Sequence, residues 1–530
     1  MKALLLTCLL ATSTALAQWS TDPTAPLAVC NAANDQRFMT AIADADSGYY
    51  VFWSDLRDNQ QKGDLYGQHL DSDGNAQWAP NGELLVSHPV KSINQMDALL
   101  MPDGSVIVSY FTSSFNQYGD TVCAMRFDPD GTSLWADAVV LLVGQDYRGV
   151  QMVLSGDHAY AMAYDNGIQY GCRMQRVGLD GTVQFPVAGV LATGLFGPFT
   201  VQPDGAGGLI HTIRCGNGAG ACLKSQRFDS LGTAVWPNYI DVADAQGLNY
   251  AFSTTLDATN AQTAVWEVAG DLRMSRVDTL GNMLWAPAVL NATDLPTYVQ
   301  QKPAITTIGN ELFIAWSDNR PPANNADLFV QKYDLNTGAE LWATDGIPAI
   351  QFNTFTPEPG IVASDSGAVI VTFEGNPGGF AAMRVRNDGA LAWPDPVAFG
   401  APSFNPPAGD RTHLPDGNGG AVVFWNSSTR NIHGARVYRN GKLYNDVGIA
   451  ETPVTRRITV YPNPAIDQLR FDLPTDQRVS TIECIDAAGR RSNVASRDGS
   501  TIDTSALPQG AYVLRIVTHR ATFLAQFIKN

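Results

Sequence analysis

The sequence predicts an all-β chain: a β-propeller, with eight four-stranded blades preferred over seven, followed by a small immunoglobulin-like β-sandwich. Three observations predict it. A glycine followed four residues later by an aromatic recurs along most of the chain. Upstream of each copy lies a short run of β-branched and aromatic residues, the composition of a strand. The recurrence shows no helical periodicity and stops near Ile449.

The glycine–aromatic pairs are Gly74/Trp78, Gly131/Trp135, Gly181/Phe185, Gly232/Trp236, Gly281/Trp285, Gly338/Trp342 and Gly389/Trp393, with a weaker eighth at Gly441/Tyr444. A period near 50 residues with all-β units is the signature of four strands per blade. Of the 11 tryptophans, Trp53, Trp266, Trp316 and Trp425 end the upstream strands, and Trp19 opens Trp19-Ser-Thr-Asp, which matches Trp342-Ala-Thr-Asp. Large aromatics recurring once per unit read as packing between neighbouring units. The N-terminal strand is therefore expected to complete the blade begun by the last repeat, which removes two exposed sheet edges. A pair of smaller β-domains is the remaining alternative.

The chain has 530 residues with 34 basic and 51 acidic, a formal net charge of −17, 16% charged and 45% hydrophobic. This is too apolar for a disordered chain. So acidic a surface repels phosphates, so no nucleic-acid partner is expected. No apolar run long enough for a transmembrane segment follows the N-terminus. The N-terminus itself reads as an export signal over residues 1–17. Lys2 supplies the charge, Ala3 to Leu10 the apolar stretch, and Ala15-Leu16-Ala17 the cleavage rule, with cleavage between Ala17 and Gln18. Cys8 leaves with the signal, and six cysteines remain. Cys215 and Cys222 flank the turn-like Gly216-Asn-Gly-Ala-Gly220 and are a possible disulfide across a hairpin. No CxxC occurs and the histidines are scattered, so no metal site is expected.

The propeller is expected over residues 18–450, a linker over 451–457, and a second domain over 458–530. Charge shifts across the boundary. Residues 456–530 hold ten basic and seven acidic residues, about +3, while the mature remainder holds 23 against 44, or −21. Strands are expected at Ile458–Tyr461, Gln468–Leu473, Ser480–Ile485, Tyr512–Val517 and Thr522–Ile528. Pro462 and Pro464 fix an extended start and stop further pairing there. Gly489 and Gly510 are natural turn positions. The final strand reads as exposed, a candidate for edge pairing with a partner.

This second domain carries a resemblance. Val460-Tyr461-Pro462-Asn463-Pro464 opens it, Ile485-Asp486-Ala487-Ala488-Gly489-Arg490 follows, and then Ile502-Asp503-Thr504-Ser505-Ala506-Leu507-Pro508-Gln509-Gly510-Ala511-Tyr512-Val513-Leu514. The chain ends Phe527-Ile528-Lys529-Asn530. In order and spacing these motifs resemble the type A C-terminal sorting domain of the bacterial type IX secretion system. The resemblance implies a partner, the type IX translocon and its sorting machinery. It also implies a location outside the cell or on its outer surface, and removal of the domain after export.

Chemistry in the repeats is sparse. No GxxxxGK, HExxH or G-x-S-x-G is present. Asp71-Ser-Asp-Gly superficially resembles the Asp-box turns of sialidase propellers, with the wrong spacing to Trp. Asp334 to Trp342 resembles the tryptophan-docking repeat of quinoprotein dehydrogenases, without their vicinal cysteines, so no cofactor is expected. Asp55, Arg57 and Asp58, with Asp318 and Arg320, could form a polar site, but loop Asp–Arg pairs capping strand ends are the preferred reading. Asp327 with Asn324 and Asn325 is a weak calcium candidate. A paired-carboxylate glycosidase stays open, because spacing across blades is not visible in the chain. The preferred function is a module that binds an extracellular glycan or protein. The alternatives are a secreted hydrolase, lyase or quinoprotein oxidoreductase, and a purely structural surface protein.

Overall fold

The computed structural model describes residues 19–530 except 115–118, 168–169, 187, 196, 217–220, 244–247, 296, 322–326, 351–357, 375–379, 401–410, 428, 445–453, 474–478, 487–489, 495, 497–499 and 519–520. It divides into two compact units, Met1–Tyr444 and Asn445–Asn530. The signal residues, Ala17 and Gln18 included, lie outside the described residues, as do Asn324, Asn325 and Gly489. No helix among the described residues is long and apolar enough to cross a membrane.

The larger unit is all antiparallel β. It holds six four-stranded sheets and one seven-stranded sheet. The latter is two units fused through one long strand, Val139–Ser155. The first part of that strand pairs with Gly119–Phe127, and its remainder pairs with His158–Asp165. Eight four-stranded modules result. Their first strands are Gln36–Ala43, Ser92–Leu100, the second part of Val139–Ser155, Phe199–Pro203, Leu248–Leu256, Gln300–Ile308, Gly360–Ala363 and Arg411–Pro415. Each first strand lies against the next, and Arg411–Pro415 lies against Gln36–Ala43, so the cycle is closed. The eighth module has only three strands of its own. Its fourth is Leu27–Cys30, which pairs antiparallel with Ile432–Val437.

The recurring glycine and tryptophan explain how modules join. Each turn glycine has a left-handed φ, from 71° at Gly338 to 90° at Gly281. A Cβ there would stand against the aromatic of the preceding module: 3.2 Å from Trp78 at Gly131, 3.1 Å from Trp236 at Gly281 and 3.2 Å from Trp342 at Gly389. Glycine is thus required twice, for conformation and for space. The indole N–H then donates to the backbone carbonyl just ahead of that glycine. Trp78 reaches Pro129 at 3.1 Å, Trp135 reaches Leu179 at 2.9 Å, Trp236 reaches Thr279 at 3.1 Å and Trp285 reaches Leu335 at 2.9 Å. Trp342 reaches Asn387 at 3.0 Å and Trp393 reaches Arg439 at 3.1 Å. The eighth aromatic is Trp19, whose indole donates to Ser72 at 2.9 Å while its ring covers Gly74. Tyr444 is half-exposed and does not fill the slot.

A cation on the third strand shares the same carbonyl. Arg126, Arg227, Arg276 and Arg436 donate to Leu179, Thr279, Leu335 and Ser72 at 2.7, 2.9, 2.7 and 2.7 Å. Lys332 donates to Asn387 at 3.0 Å. Each cation is held by an acid from the turn between the first two strands of its module, Asp103, Asp204, Asp257 or Asp416, or by Glu311 at the start of the second strand. Where the aromatic is Phe185 and has no N–H, Arg176 serves the Ser230 carbonyl instead, while the Tyr160 hydroxyl donates to the Gly207 carbonyl at 2.7 Å. Apolar cores accordingly lie between modules. The closing joint gathers Trp19, Leu27, Val29, Tyr49, Trp53 and Phe424.

The smaller unit has a five-stranded and a three-stranded sheet. They share one core of Leu469, Phe471 and Ile502 from one sheet with Cys484, Leu514, Ile516, Phe523 and Phe527 from the other. Two expectations are corrected. Residues 454–457, read as linker, form a strand parallel to Ala521–Lys529. The final strand is not an exposed edge, for reasons given below.

Two predictions follow from this packing. Trp236→Ala removes both the indole and its hydrogen bond and should cost roughly 3–5 kcal/mol. Trp236→Phe leaves Arg227 on the Thr279 carbonyl and should cost about 1 kcal/mol. Chemical denaturation of the larger unit distinguishes the two, and equal losses would show that the hydrogen bond rather than packing dominates. Separately, burial pushes His211 and His413 down to about 3, with Arg411 adding to the effect on His413. The unfolded chain therefore binds protons that the folded one refuses. Stability is full above the ordinary histidine range and falls as pH drops from about 6.5 toward 3. Asp97, raised to about 6, opposes the histidines between the ordinary carboxylate range and 6, and Glu374, also raised by burial, acts in the same direction, while His433, lowered by burial, adds to them. His413→Asn should flatten the slope measured from pH 7 to 5.

Candidate functional site

The first strands form the innermost layer of the cycle, and each has one unpaired edge. Free N–H and C=O groups there must find partners. Side chains of neighbouring first strands supply several. Gln95 accepts the Gly149 N–H at 3.0 Å, and Asp97 accepts the Met152 N–H at 2.7 Å. Gln151 spans to the fourth module, donating to the Phe199 carbonyl at 2.8 Å and accepting the Val201 N–H at 3.0 Å. Ser253 donates to Pro303 at 2.7 Å and Thr307 to Leu256 at 2.9 Å. These five polar groups are thus occupied in closing backbone edges. Asp97 is the lining acid with the most perturbed carboxyl. Burial pushes it up to about 6, although its backbone donors Met152 and Ala98 favour the charged form.

One end of this layer is irregular. Phe38, Gln95 and Lys302 occupy the same place in their strands and have φ of 55°, 33° and 55°, with Gly149 at 68°. The register with the second strand shifts at each non-glycine position. These are β-bulges, which re-aim side chains. Beside Phe38 a pocket of about 300 Å³ is lined by Asn34, Asp35, Arg37, Leu56 and Gln60. Farther round the same end, the partly buried Arg411 is clamped between Glu358 and Glu374, the latter at 2.9 Å. Burial holds the Glu374 carboxyl above its usual range, with Glu358 repelling it further, while Arg411 and Lys302 pull it back. Lys302 makes no ion pair among the described residues.

The motif Trp53-Ser54-Asp55-Leu56-Arg57 and its copy at 316–320 are strand caps. The Trp53 indole donates to the Asp55 carboxylate at 2.7 Å and the Trp316 indole to Asp318 at 3.0 Å. Arg57 and Arg320 fold back onto the same carboxylates and lie 3.9 Å over the rings of Tyr66 and Phe329. The carboxylates are fully engaged, and Asp58 only accepts the Tyr66 hydroxyl at 3.2 Å. Asp327 is buried on its strand, and no cluster of three or more metal-binding side chains occurs among the described residues. Cys215 and Cys222 are register partners at the end of their hairpin and are joined by a disulfide.

In the smaller unit the expected motif residues divide into core and clip. Leu507 is buried, and Tyr512 donates to the Pro508 carbonyl at 2.9 Å while stacking on Phe527. Lys529 is buried along its length and Gly510 starts the penultimate strand. Tyr461, Pro462, Asn463 and Pro464 are exposed. The Asn463 amide nonetheless acts as a surrogate peptide. It donates to the Gln526 carbonyl at 3.1 Å and accepts the Ile528 N–H at 2.9 Å. The Ala465 N–H then donates to Ile528 at 2.7 Å. With Val454–Arg457 on its first half and this clip on its second, the outer edge of Ala521–Lys529 is covered. The sequence could not show this, because one part of the cover precedes the domain's first strand and the other is a side-chain amide standing in for backbone.

Residues 459–530 match the family of the secretion system C-terminal sorting domain. No curated protein matches the chain in sequence. Among solved structures, backbones similar to this one include a protein of unknown function from Dyadobacter fermentans, at 13% identity and TM-score 0.35, covering 67% of this chain and 95% of that one. The BP39L lectin from Burkholderia pseudomallei is similar at 11% identity and TM-score 0.43, covering 69% and 99%. A puromycin hydrolase is similar at 14% identity and TM-score 0.40, covering 78% of this chain but 61% of that one. Scores this low carry neither a fold nor a function across. The clip on the final strand lies within the matched segment, and its identity settles where the chain goes: residues 459–530 are a type IX secretion C-terminal sorting domain, and the protein is exported to the cell surface or the medium.

Proposed function

We propose that the larger unit is an eight-bladed β-propeller that works outside the cell as a binding module for a glycan or a protein, its ligand seated at the bulged end of the inner strands. Eight four-stranded modules in a closed cycle support eight blades over seven, and two sheets around one core suit an immunoglobulin-like sorting domain. An export signal ending at Ala17 fits the same route, with the sorting domain removed once the body is outside.

The observation that carries the binding reading is the bulge. A side-chain-bearing residue in the left-handed region costs about 1–2 kcal/mol relative to the right-handed one. Glycine would relieve it, and Gly149 shows that glycine fits this position. Yet Phe38, Gln95 and Lys302 stand there in three other modules. Gln95 closes an edge; Phe38 and Lys302 offer a ring face and a cation to something outside the chain. Strain retained at equivalent positions points to function. A hydrolase is the second reading, and Glu374 with its raised carboxyl beside Glu358 is what favours it.

Two predictions separate these readings. Lys302→Gly should raise stability by roughly 0.5–1 kcal/mol, the relieved strain less the entropy of glycine. It should also weaken binding of the full mature protein to whichever glycan or protein a panel identifies. Unchanged binding with raised stability would remove Lys302 from the site. Glu374→Gln should leave binding intact, whereas turnover of a glycan or peptide that disappears in this variant would favour the hydrolase.

A further inference from the structure

We propose that the export machinery docks an extended strand onto the outer edge of Ala521–Lys529, after displacing Val454–Arg457 and the Asn463 clip that now cover it. The proposal rests on the assignment of residues 459–530 as a sorting domain.

Three features of the edge support it. The final strand is held firmly from its other side, where it pairs with Gly510–Thr518 over eight register partners. Loss of the outer cover would leave it in the sheet. The cover itself is light and discontinuous. Its first part is four residues in parallel pairing, which is weaker per residue than antiparallel. Its second part is one side-chain amide and the Ala465–Lys529 bridge. Short edge segments of this kind open well below the global unfolding free energy.

The third feature is what lies beside the edge. A groove of about 510 Å³ starts next to Asn463 and crosses the sheet, lined by Gln526 and Ile528 of the final strand, Tyr512 and Val513 of its neighbour and Ile485 of the strand beyond. Ile528 is 51% exposed there. A strand added to a sheet edge gains affinity from main-chain hydrogen bonds and specificity from pockets for alternate side chains. This edge has both within reach. The opposite edge of the same sheet, Arg491–Asn493, is three residues long, begins with an arginine and follows another, Arg490. The strap that hides the better edge is also the stretch joining the sorting domain to the body, so a machine that grips this joint acts on the cover directly.

The test uses the full chain in cells with type IX machinery. Thr455 and Thr522 are register partners, and a Thr455→Cys/Thr522→Cys pair oxidised in the periplasm would lock the strap. The locked chain, its cross-link verified by mass, should remain periplasmic while the Thr455→Ser/Thr522→Ser pair is exported. Ile528→Lys, at a half-exposed site, should fold and also lose export. Arg456→Pro, which loosens the strap, should be exported as well as the unaltered chain. Export of the locked chain at the unaltered level overturns the proposal, and so does loss of export by Arg456→Pro with the domain folded. Deletion of 459–530 separates the two assignments. If the deleted chain is still exported, the sorting assignment itself fails. If it is retained and the locked chain is exported, only the docking edge fails.

Discussion

One carbonyl per module holds the larger unit together. The turn between the third and fourth strands aims a backbone oxygen out of the sheet, just ahead of the left-handed glycine, and the sheet has no donor for it. Where that carbonyl is buried, as at Leu335, leaving it unpaired would cost free energy comparable to a lost hydrogen bond. The preceding module answers with an indole N–H and, in most modules, a cation, and the glycine's missing Cβ is the space in which the indole lies. Neither donor can be supplied from within the module that owns the carbonyl. No module is complete without its predecessor, so the first depends on the last. Trp19 meets that requirement from the N-terminal end of the described chain, and Leu27–Cys30 gives the eighth module its fourth strand.

The acids behind the cations are part of the same device. Asp257 and Asp416 are almost wholly buried, as are Arg276 and Arg436. A buried pair is weak evidence for net stability, because desolvation offsets much of the attraction. Its value here is directional. The acid fixes one face of the guanidinium, and the remaining donor then points at the next module's carbonyl. The joint is thereby specified in angle as well as in distance, which a purely apolar contact would leave looser.

Much of this was legible in the chain. Glycine and aromatic spacing located seven joints, one of them carrying Phe185, and Trp19-Ser-Thr-Asp pointed to the closing one, which Tyr444 does not fill. The cations were legible too but were not read: Arg126, Arg227, Arg276 and Lys332 each stand two residues ahead of the turn aspartates Asp128, Asp229, Asp278 and Asp334. What no spacing rule could reveal is the bulged end. Phe38, Gln95 and Lys302 adopt a glycine-like conformation without being glycine, and only the backbone shows it. The Arg411 clamp was hidden for a different reason. Glu358, Glu374 and Arg411 come from two modules and meet only when those neighbours pack.

The management of sheet edges connects the two units and locates function in both. Every β fold must cover or satisfy its edges. In the larger unit the inner edges are closed by side chains such as Gln95, Asp97 and Gln151, and those groups are then no longer available for chemistry. The proposed binding site uses positions where the backbone departs from the ladder, at the Phe38 and Lys302 bulges. In the sorting domain the edge is covered instead by a short strap and an asparagine clip. Side-chain closure is built into the fold and cannot be withdrawn without unfolding it. A strap can be. The closed edges therefore suit a scaffold that must persist outside the cell, and the covered edge suits a domain that has to be engaged once, in transit.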